Sequence, residues 1–347
     1  MSTATTPRKV RDPYLDNAKA ILITLVVIGH PLNSVNSYLG GALETWIYAF
    51  HMPAFVMISG YLSRSYRNEP RQTGRLLSSL LVPYMIFQLI HACLRVLING
   101  SDFNVNMFHP SWTLWFLLAL FIWRLCTPLL KSLRYPLAFA VAVSVLAPLA
   151  PQLDATISLG RALSFLPFFV IGLLGTPERL DKIRNFRFKW LAGLVLLAGL
   201  VLSFLTHTDF PVSIFHMTAS YEIYGTTAVK GMIGRILVLI VSTTACFALL
   251  AITPKLRHWW TGIGENSLTV YLLHAPILLL FRYSDAGETI GNGGTVLLVL
   301  GSIVLTLLLS RRWVVKPASW LTNPPVGSWL VQGLQKDTRK RGASAHA

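Results

Sequence analysis

Ten runs of mostly apolar residues, separated by short polar and basic segments, restrict this chain before any motif is read. They lie at 18–37, 43–63, 77–98, 113–130, 136–151, 162–175, 190–206, 231–252, 263–281 and 295–315, the fifth and sixth being the shortest. A bilayer core about 30 Å thick takes roughly 20 such residues per helical span. The expected fold is therefore all-α, a polytopic membrane protein with about ten transmembrane helices. Only 13% of the residues are charged, against about a quarter in soluble domains, and the mean hydropathy is +0.56.

The net charge of +16 fits either nucleic acid or membrane topology, and the placement of the charges separates the two. With the N-terminus inside, the basic residues gather in the N-terminal segment, in the alternate loops that face the same side, and in the tail from Arg311. Of 30 Lys and Arg, only Arg161, Lys230 and Arg282 fall on the outer side, with Arg95 and Arg235 inside spans. That segregation follows the positive-inside rule, so both termini are expected in the cytoplasm and no nucleic-acid partner is implied. The expected organisation is a cytoplasmic N-terminal tail over 1–17, one transmembrane domain over 18–315 and a cytoplasmic tail over 316–347. No small-residue cleavage pattern follows the first run, so it is expected to be retained as a span. Cys93, Cys126 and Cys246 lie within apolar runs and give no disulfide framework or CxxC metal site.

Ionisable side chains within spans are costly, about 2.5–3.5 kcal/mol each on insertion scales, and they call for a function. Lys19 and His30 are eleven residues apart, which returns to nearly the same helix face about 16 Å along the axis. Asp16, Ser34 and Ser37 extend that face on the sequence periodicity. In the second span Glu44, Tyr48 and His51 share a face, and Pro53 removes a backbone hydrogen bond two residues on. Tyr84, Gln88, His91 and Arg95 form a third polar face, and Ser267, Tyr271 and His274 a fourth. Four helices that each bring a histidine into the outer half predict a polar cavity there. On the inner side Arg64, Arg67, Arg71 and Arg75 form a spaced series suited to phosphate oxygens. No GxxxxGK[ST] or GxGxxG element is present to cradle phosphates with backbone amides.

Several segments resemble the acyltransferase-3 family of integral-membrane acyltransferases, in the branch of fucose 4-O-acetylase-like proteins. The first-helix motif, a basic residue, ten residues and a histidine, matches Lys19 to His30, although the family more often carries Arg at the basic position. Phe50-His51-Met52-Pro53-Ala54-Phe55 with Ser59-Gly60-Tyr61-Leu62 resembles the second-helix signature. Trp115-Phe116-Leu117-Leu118-Ala119-Leu120-Phe121 and Asn266-Ser267-Leu268, continuing to Tyr271-Leu272-Leu273-His274, resemble two later ones. The Arg64 and Arg67 spacing is similar to one associated with acyl-CoA.

The resemblance spans about residues 12–281 and implies transfer of an acyl group, usually acetyl, from cytoplasmic acyl-CoA to a hydroxyl of a sugar, glycan or glycolipid. It implies a multi-pass protein of the cell membrane, with acetyl-CoA as donor, no metal, and the bilayer and acceptor as partners. Whether copies of the chain associate as a homo-oligomer stays open. His30 is then the general base or a transient acyl carrier, since a neutral imidazole has a lone pair for either role. Lys19 contacts the pantetheine or phosphate portion of CoA or pairs with Asp16, and Arg64, Arg67, Arg71 and Arg75 hold its 3′,5′-ADP end. Glu44, His51, His91 and His274 orient His30 or bind acceptor hydroxyls, with Tyr48, Arg95, Trp115, Asn266 and Tyr271 as further acceptor-binding candidates.

The rival from another class is a proton-coupled transporter, which also uses intramembrane His, Glu and Arg. It favours inverted repeats with matched Gly or Pro breaks, and none is visible. The HxxxxD spacing of glycerolipid acyltransferases is absent at all nine histidines.

Overall fold

A computed structural model describes residues 11–154, 157–218 and 220–326, and every regular element among them is helical. The main helices are α1 (Pro13–Leu32), α2 (Tyr38–Ser63), α3 (Pro70–Asn99), α4 (Trp112–Leu125), α5 (Pro136–Leu149), α6 (Leu159–Leu173), α7 (Pro177–Arg184), α8 (Lys189–Thr206), α9 (Ala228–Ile252), α10 (Ser267–Arg282), α11 (Asn292–Leu309) and α12 (Arg312–Thr322). Each of the ten apolar runs coincides with one of these. Five helices, α1, α3, α8, α9 and α11, are long and apolar enough to cross a membrane; α6 and α7, bent by 94° at their junction, make a sixth if taken together. Helices α4, α5 and α10 are shorter apolar ones.

Helix boundaries depart from the apolar runs where capping chemistry overrides hydropathy. Asp12 caps α1 by accepting from the Tyr14 amide at 3.0 Å, and Pro13 occupies the first turn, where its missing N–H costs nothing. The helix thus starts five residues before the predicted 18, so the expected tail of 1–17 already holds its first turn. It stops at Leu32, and Ser34 and Ser37 do not continue its polar face. Ser37 instead caps α2, accepting from the Gly40 amide, and its hydroxyl meets that of Thr295 at 2.7 Å. Helix α3 starts seven residues before its predicted 77 and carries a π-helical turn at Leu77–Leu81 just before Pro83, whose absent N–H disrupts the regular ladder. The run predicted over 113–130 breaks at Cys126 before Pro128. Asn266 separates a short turn, Thr261–Glu265, from α10. The run predicted to end at 315 breaks at Ser310, so α12 is a separate helix across the expected boundary of the C-terminal tail.

Helix α1 is central: 72% of its apolar stretch is buried, against 17% for α8 and 22% for α11. The peripheral helices turn Trp190, Leu194, Leu197, Leu205, Leu297, Leu300 and Val304 outward, an apolar rim suited to lipid rather than water. Helix α1 packs on α2, α10, α11 and the 261–265 turn, and α2 packs on α6. The α2–α6 crossing depends on two glycines. A Cβ on Gly60 would stand 2.0 Å from the Phe169 carbonyl oxygen, and one on Gly172 would stand 1.9 Å from that of Met57. Small residues at such crossings let membrane helices approach backbone to backbone.

The Tyr14-to-Lys19 opening is pinned at the same end of the bundle. Asn17 donates to the Pro254 and Leu256 carbonyls at 2.9 and 2.7 Å and accepts from the Thr261 hydroxyl at 2.6 Å, while Tyr14 donates to the Leu250 carbonyl. These side chains fix the α1 register, which sets where His30 falls at the other end.

Candidate functional site

His30, near the end of α1, opens into a cavity of about 410 Å³ between α1, α2, α6, α10 and the loops before α4 and α9. Its ring lies between Trp112 (centroids 4.9 Å apart, 58° between planes) and His274 (5.2 Å, 16°). Of the residues expected in the site, His30, Tyr48, His51, Trp115 and Tyr271 line this cavity, and His274 backs it through the stack. Among the described residues, no lining residue is acidic.

A chain of polar contacts runs from Asn33 through Tyr48 to His30. Asn33 donates to the Gly29 carbonyl at 3.0 Å, which identifies its amide nitrogen, and that nitrogen also reaches the Tyr48 hydroxyl oxygen at 2.6 Å. Tyr48 thus accepts from Asn33, and its hydroxyl lies 3.3 Å from His30 Nδ1, the tautomer of His30 setting which of the two donates. In His51 and His274 the tautomer is fixed, because Nδ1 donates to the carbonyl one turn back, Ile47 at 2.7 Å and Val270 at 3.1 Å. Each then presents Nε2 as an acceptor, and that of His274 is buried with no hydrogen-bond partner.

Glu44, His91, Arg95 and Asn266 fall outside the lining. Glu44 is buried in α2, one turn from Tyr48. The polar face of α3 serves a loop instead of the cavity. Gln88 donates to the Asn106 and His109 carbonyls, both at 2.8 Å, and accepts from the Ser111 amide; Arg95 donates to the Ser111 hydroxyl and the Asn104 carbonyl. Tyr84 donates to the Met107 carbonyl. This clamp sets Pro110, Trp112 and Thr113 into the cavity wall, and Tyr271 completes it by donating to the Thr113 carbonyl. His91 is buried on the same helix with neither ring nitrogen hydrogen-bonded. Trp112 (φ 39°) and the lining residue Ser158 (φ 48°) hold left-handed backbone conformations that favour glycine, a strain found where a site fixes its loops. Asn266 lies at the opposite end of the bundle, donating to the Gly262 and Ser310 carbonyls, and so holds two segment ends together.

The residues expected to bind coenzyme lie at the Lys19 end. Lys19 pairs with Asp16 at 2.7 Å, with both side chains largely buried, and Arg11 joins the same carboxylate at 3.2 Å. Arg64 lies over the Tyr61 ring, 3.6 Å from its centroid, and donates to the Gly175 carbonyl at 3.4 Å. Arg179 donates to the adjacent Leu174 carbonyl at 3.1 Å. These two cations converge on the α6–α7 turn beside an apolar cleft of about 150 Å³ lined by Leu15, Met57, Tyr61 and Gly172. Arg67, Arg71 and Arg75 are exposed on the loop and first turns of α3 and do not join them there.

Three further titratable cavity residues are not among the sequence candidates. Arg161 lies over Trp115 at 4.8 Å, Arg282 over Trp112 at 5.2 Å, and the His216 ring is 4.5 Å from that of Tyr48. Burial first, then the Arg161 guanidinium, lowers the His216 imidazole to about 4 and keeps it neutral. In the sequence, Arg161 and Arg282 stand out only as exceptions to the charge segregation. Among the described residues no group of three or more His, Cys, Asp or Glu is arranged to hold a metal ion.

Residues 12–311 match a family model described as an acyltransferase domain, Acyl_transf_3. The nodulation protein NolL of Mesorhizobium japonicum is 25% identical, covering 92% of this chain and 91% of that protein. NolL of Sinorhizobium fredii is 26% identical, covering 92% of each. No solved structure matches the chain.

Proposed function

This chain belongs to the acyltransferase-3 family and is a multi-pass membrane O-acyltransferase, and from that premise we propose that it moves an acetyl group from cytoplasmic acetyl-CoA to a hydroxyl of a sugar, glycan or glycolipid. The observation that carries the proposal is the position of His30. It lies in a cavity wide enough for a sugar ring, eleven residues along one helix from the cationic Lys19 end. In this reading the ten apolar runs all cross the cell membrane, with both termini in the cytoplasm, and the His30 cavity faces outward.

The acceptor hydroxyl gives its proton to His30 Nδ1, either directly or through Tyr48, whose oxygen takes it while its own proton passes to the imidazole. The acceptor oxygen attacks the thioester carbonyl, the carbon–sulfur bond breaks, and the leaving thiolate recovers the proton from the imidazolium. His51 Nε2, held by its tautomer, accepts from a second acceptor hydroxyl. Arg64 and Arg179 receive the phosphates of the coenzyme, and Arg67, Arg71 and Arg75 add longer-range attraction. The neighbouring apolar cleft admits its pantetheine arm. Lys19, already paired with Asp16, holds the entrance charge instead of acting as a free ligand.

The transporter alternative is not favoured, since the family match covers nearly the whole membrane region. The test is transfer of label from acetyl-CoA to endogenous glycan or lipid in membranes holding wild type or His30→Ala. Transfer by wild type and none by the variant is expected; equal transfer by both removes His30 as the base.

A further inference from the structure

The segment that joins α7 to α8 sets aromatic and basic residues side by side. Phe186, Phe188 and Trp190 are exposed, the two phenyl rings meeting edge to face 6.1 Å apart, and Arg187 lies over the Phe188 ring at 5.6 Å. Between positions 177 and 190 there are five basic residues and two acidic ones. Asp181 is taken up by Arg184 at 2.7 Å, while Lys182, Arg187 and Lys189 form no ion pair with a described residue. Exposed aromatic rings beside basic side chains suit the headgroup level of a bilayer, and α8, with Leu194 and Leu197 facing outward, carries the surface from there into the hydrocarbon.

From that level an apolar groove of about 390 Å³ runs between α8 and α9. Val195 and Phe247 form its sides, the small side chains of Ala192 and Ala248 give it depth, and Lys182, exposed on α7, is the one charged residue among the described ones that line it. Asn185, next to the lining residue Phe186, accepts from the Lys255 ammonium, which brings a further cation from the end of α9. Ile183 and Phe247 also wall the cleft beside Arg179, so the groove lies at the Lys19 end of the bundle. Basic pockets between spanning helices at a leaflet surface attract acidic headgroups, and a groove that is apolar along its length with cations at its mouth complements an acyl chain below a phosphate. We propose that this groove binds an anionic phospholipid of the leaflet at the Lys19 end, with one acyl chain between α8 and α9 and the phosphate at Lys182, while Arg187, Lys189 and Lys255 add attraction. The site lies outside the His30 cavity and does not rest on the acyl-transfer reading.

The test is native mass spectrometry of the full chain released from nanodiscs made of equal parts phosphatidylglycerol and phosphatidylcholine. Wild type is expected to retain phosphatidylglycerol about fivefold or more over phosphatidylcholine, the scale of one favourable charge at a membrane surface. Lys182→Gln should lose most of that preference, Lys182→Arg should keep it, and Lys230→Gln, at the far end of α9, should leave it unchanged. Thr244→Trp, which fills the groove from an exposed position, should retain less of both lipids while unfolding at the wild-type temperature in detergent; Thr244→Phe replaces it if the larger side chain prevents folding. Equal retention of the two lipids, a preference that survives Lys182→Gln, a preference lost equally in Lys230→Gln, or retention unaffected by filling the groove overturns the proposal. A wild-type dimer that becomes a monomer in the groove-filling variant also overturns it, and gives this face to a second copy of the chain.

Discussion

The imidazole of His274 stacks on that of His30, with 5.2 Å between centroids and 16° between planes, while its own Nδ1 is tied to the Val270 carbonyl. The hydrogen bond fixes the His274 ring, and the ring fixes one face of the base. A residue with no place in the cavity lining thereby orients the group proposed as the base.

His274→Ala should lower kcat about tenfold to a hundredfold with little change in KM for acetyl-CoA, because it frees the His30 ring without touching the coenzyme end. His274→Phe, which keeps a flat ring at the same place, should recover most of the rate. Steady-state kinetics on both variants decides; equal losses would mean that Nε2 of His274 acts directly.

Removing the Tyr48 hydroxyl takes away the polar group 3.3 Å from His30 Nδ1. Tyr48→Phe should cut kcat by about tenfold to a hundredfold, with Asn33→Ala doing less, because it weakens only the bond that orients the phenol. A Tyr48→Phe enzyme with the wild-type rate and pH profile would show that the hydroxyl is a bystander.

Coenzyme affinity should depend on the α6–α7 turn. Arg64→Ala and Arg179→Ala are expected to raise KM for acetyl-CoA about tenfold each, while Arg75→Ala, exposed and away from the cleft, changes it less than threefold. A reversed ranking in a titration with acetyl-CoA would move the phosphate site onto α3.

Backbone contact between α2 and α6 leaves no room for a methyl group. Gly60→Ala or Gly172→Ala should cost about 2 kcal/mol or more, or abolish folded yield, as seen by thermal unfolding in detergent. Gly193→Ala and Gly301→Ala, in helices with open space around the new Cβ, should be neutral or slightly stabilising. Unchanged stability of Gly172→Ala would mean that the crossing is looser than its 1.9 Å separation requires.

Loosening the α3 clamp should act on the acceptor alone. Gln88→Ala releases the Asn106 and His109 carbonyls and the Ser111 amide, and with them the seat of Trp112. KM for the acceptor is expected to rise several-fold while that for acetyl-CoA stays level; parallel changes in both would assign the clamp to general folding.

By itself, the sequence determined the helices and the separation of Lys19 and His30 along α1. Hydropathy over twenty residues is a local property, and the eleven-residue spacing of Lys19 and His30 converts directly into distance along a helix. The shared faces of Tyr48 with His51 and of Tyr271 with His274 were legible for the same reason. What each polar face meets was not, because that depends on helix rotation and on loops whose course no periodicity encodes. The Tyr84–Gln88–Arg95 face was read as part of a cavity and is spent on the 104–111 loop; Asn266, on a motif shared with His274, holds the far end. Arg161 and Arg282, read only as exceptions to a charge rule, come beside His30 because packing of α6 and α10 against α1 and α2, fixed by the glycine crossing and the Asn17 anchor, closes the cavity around them.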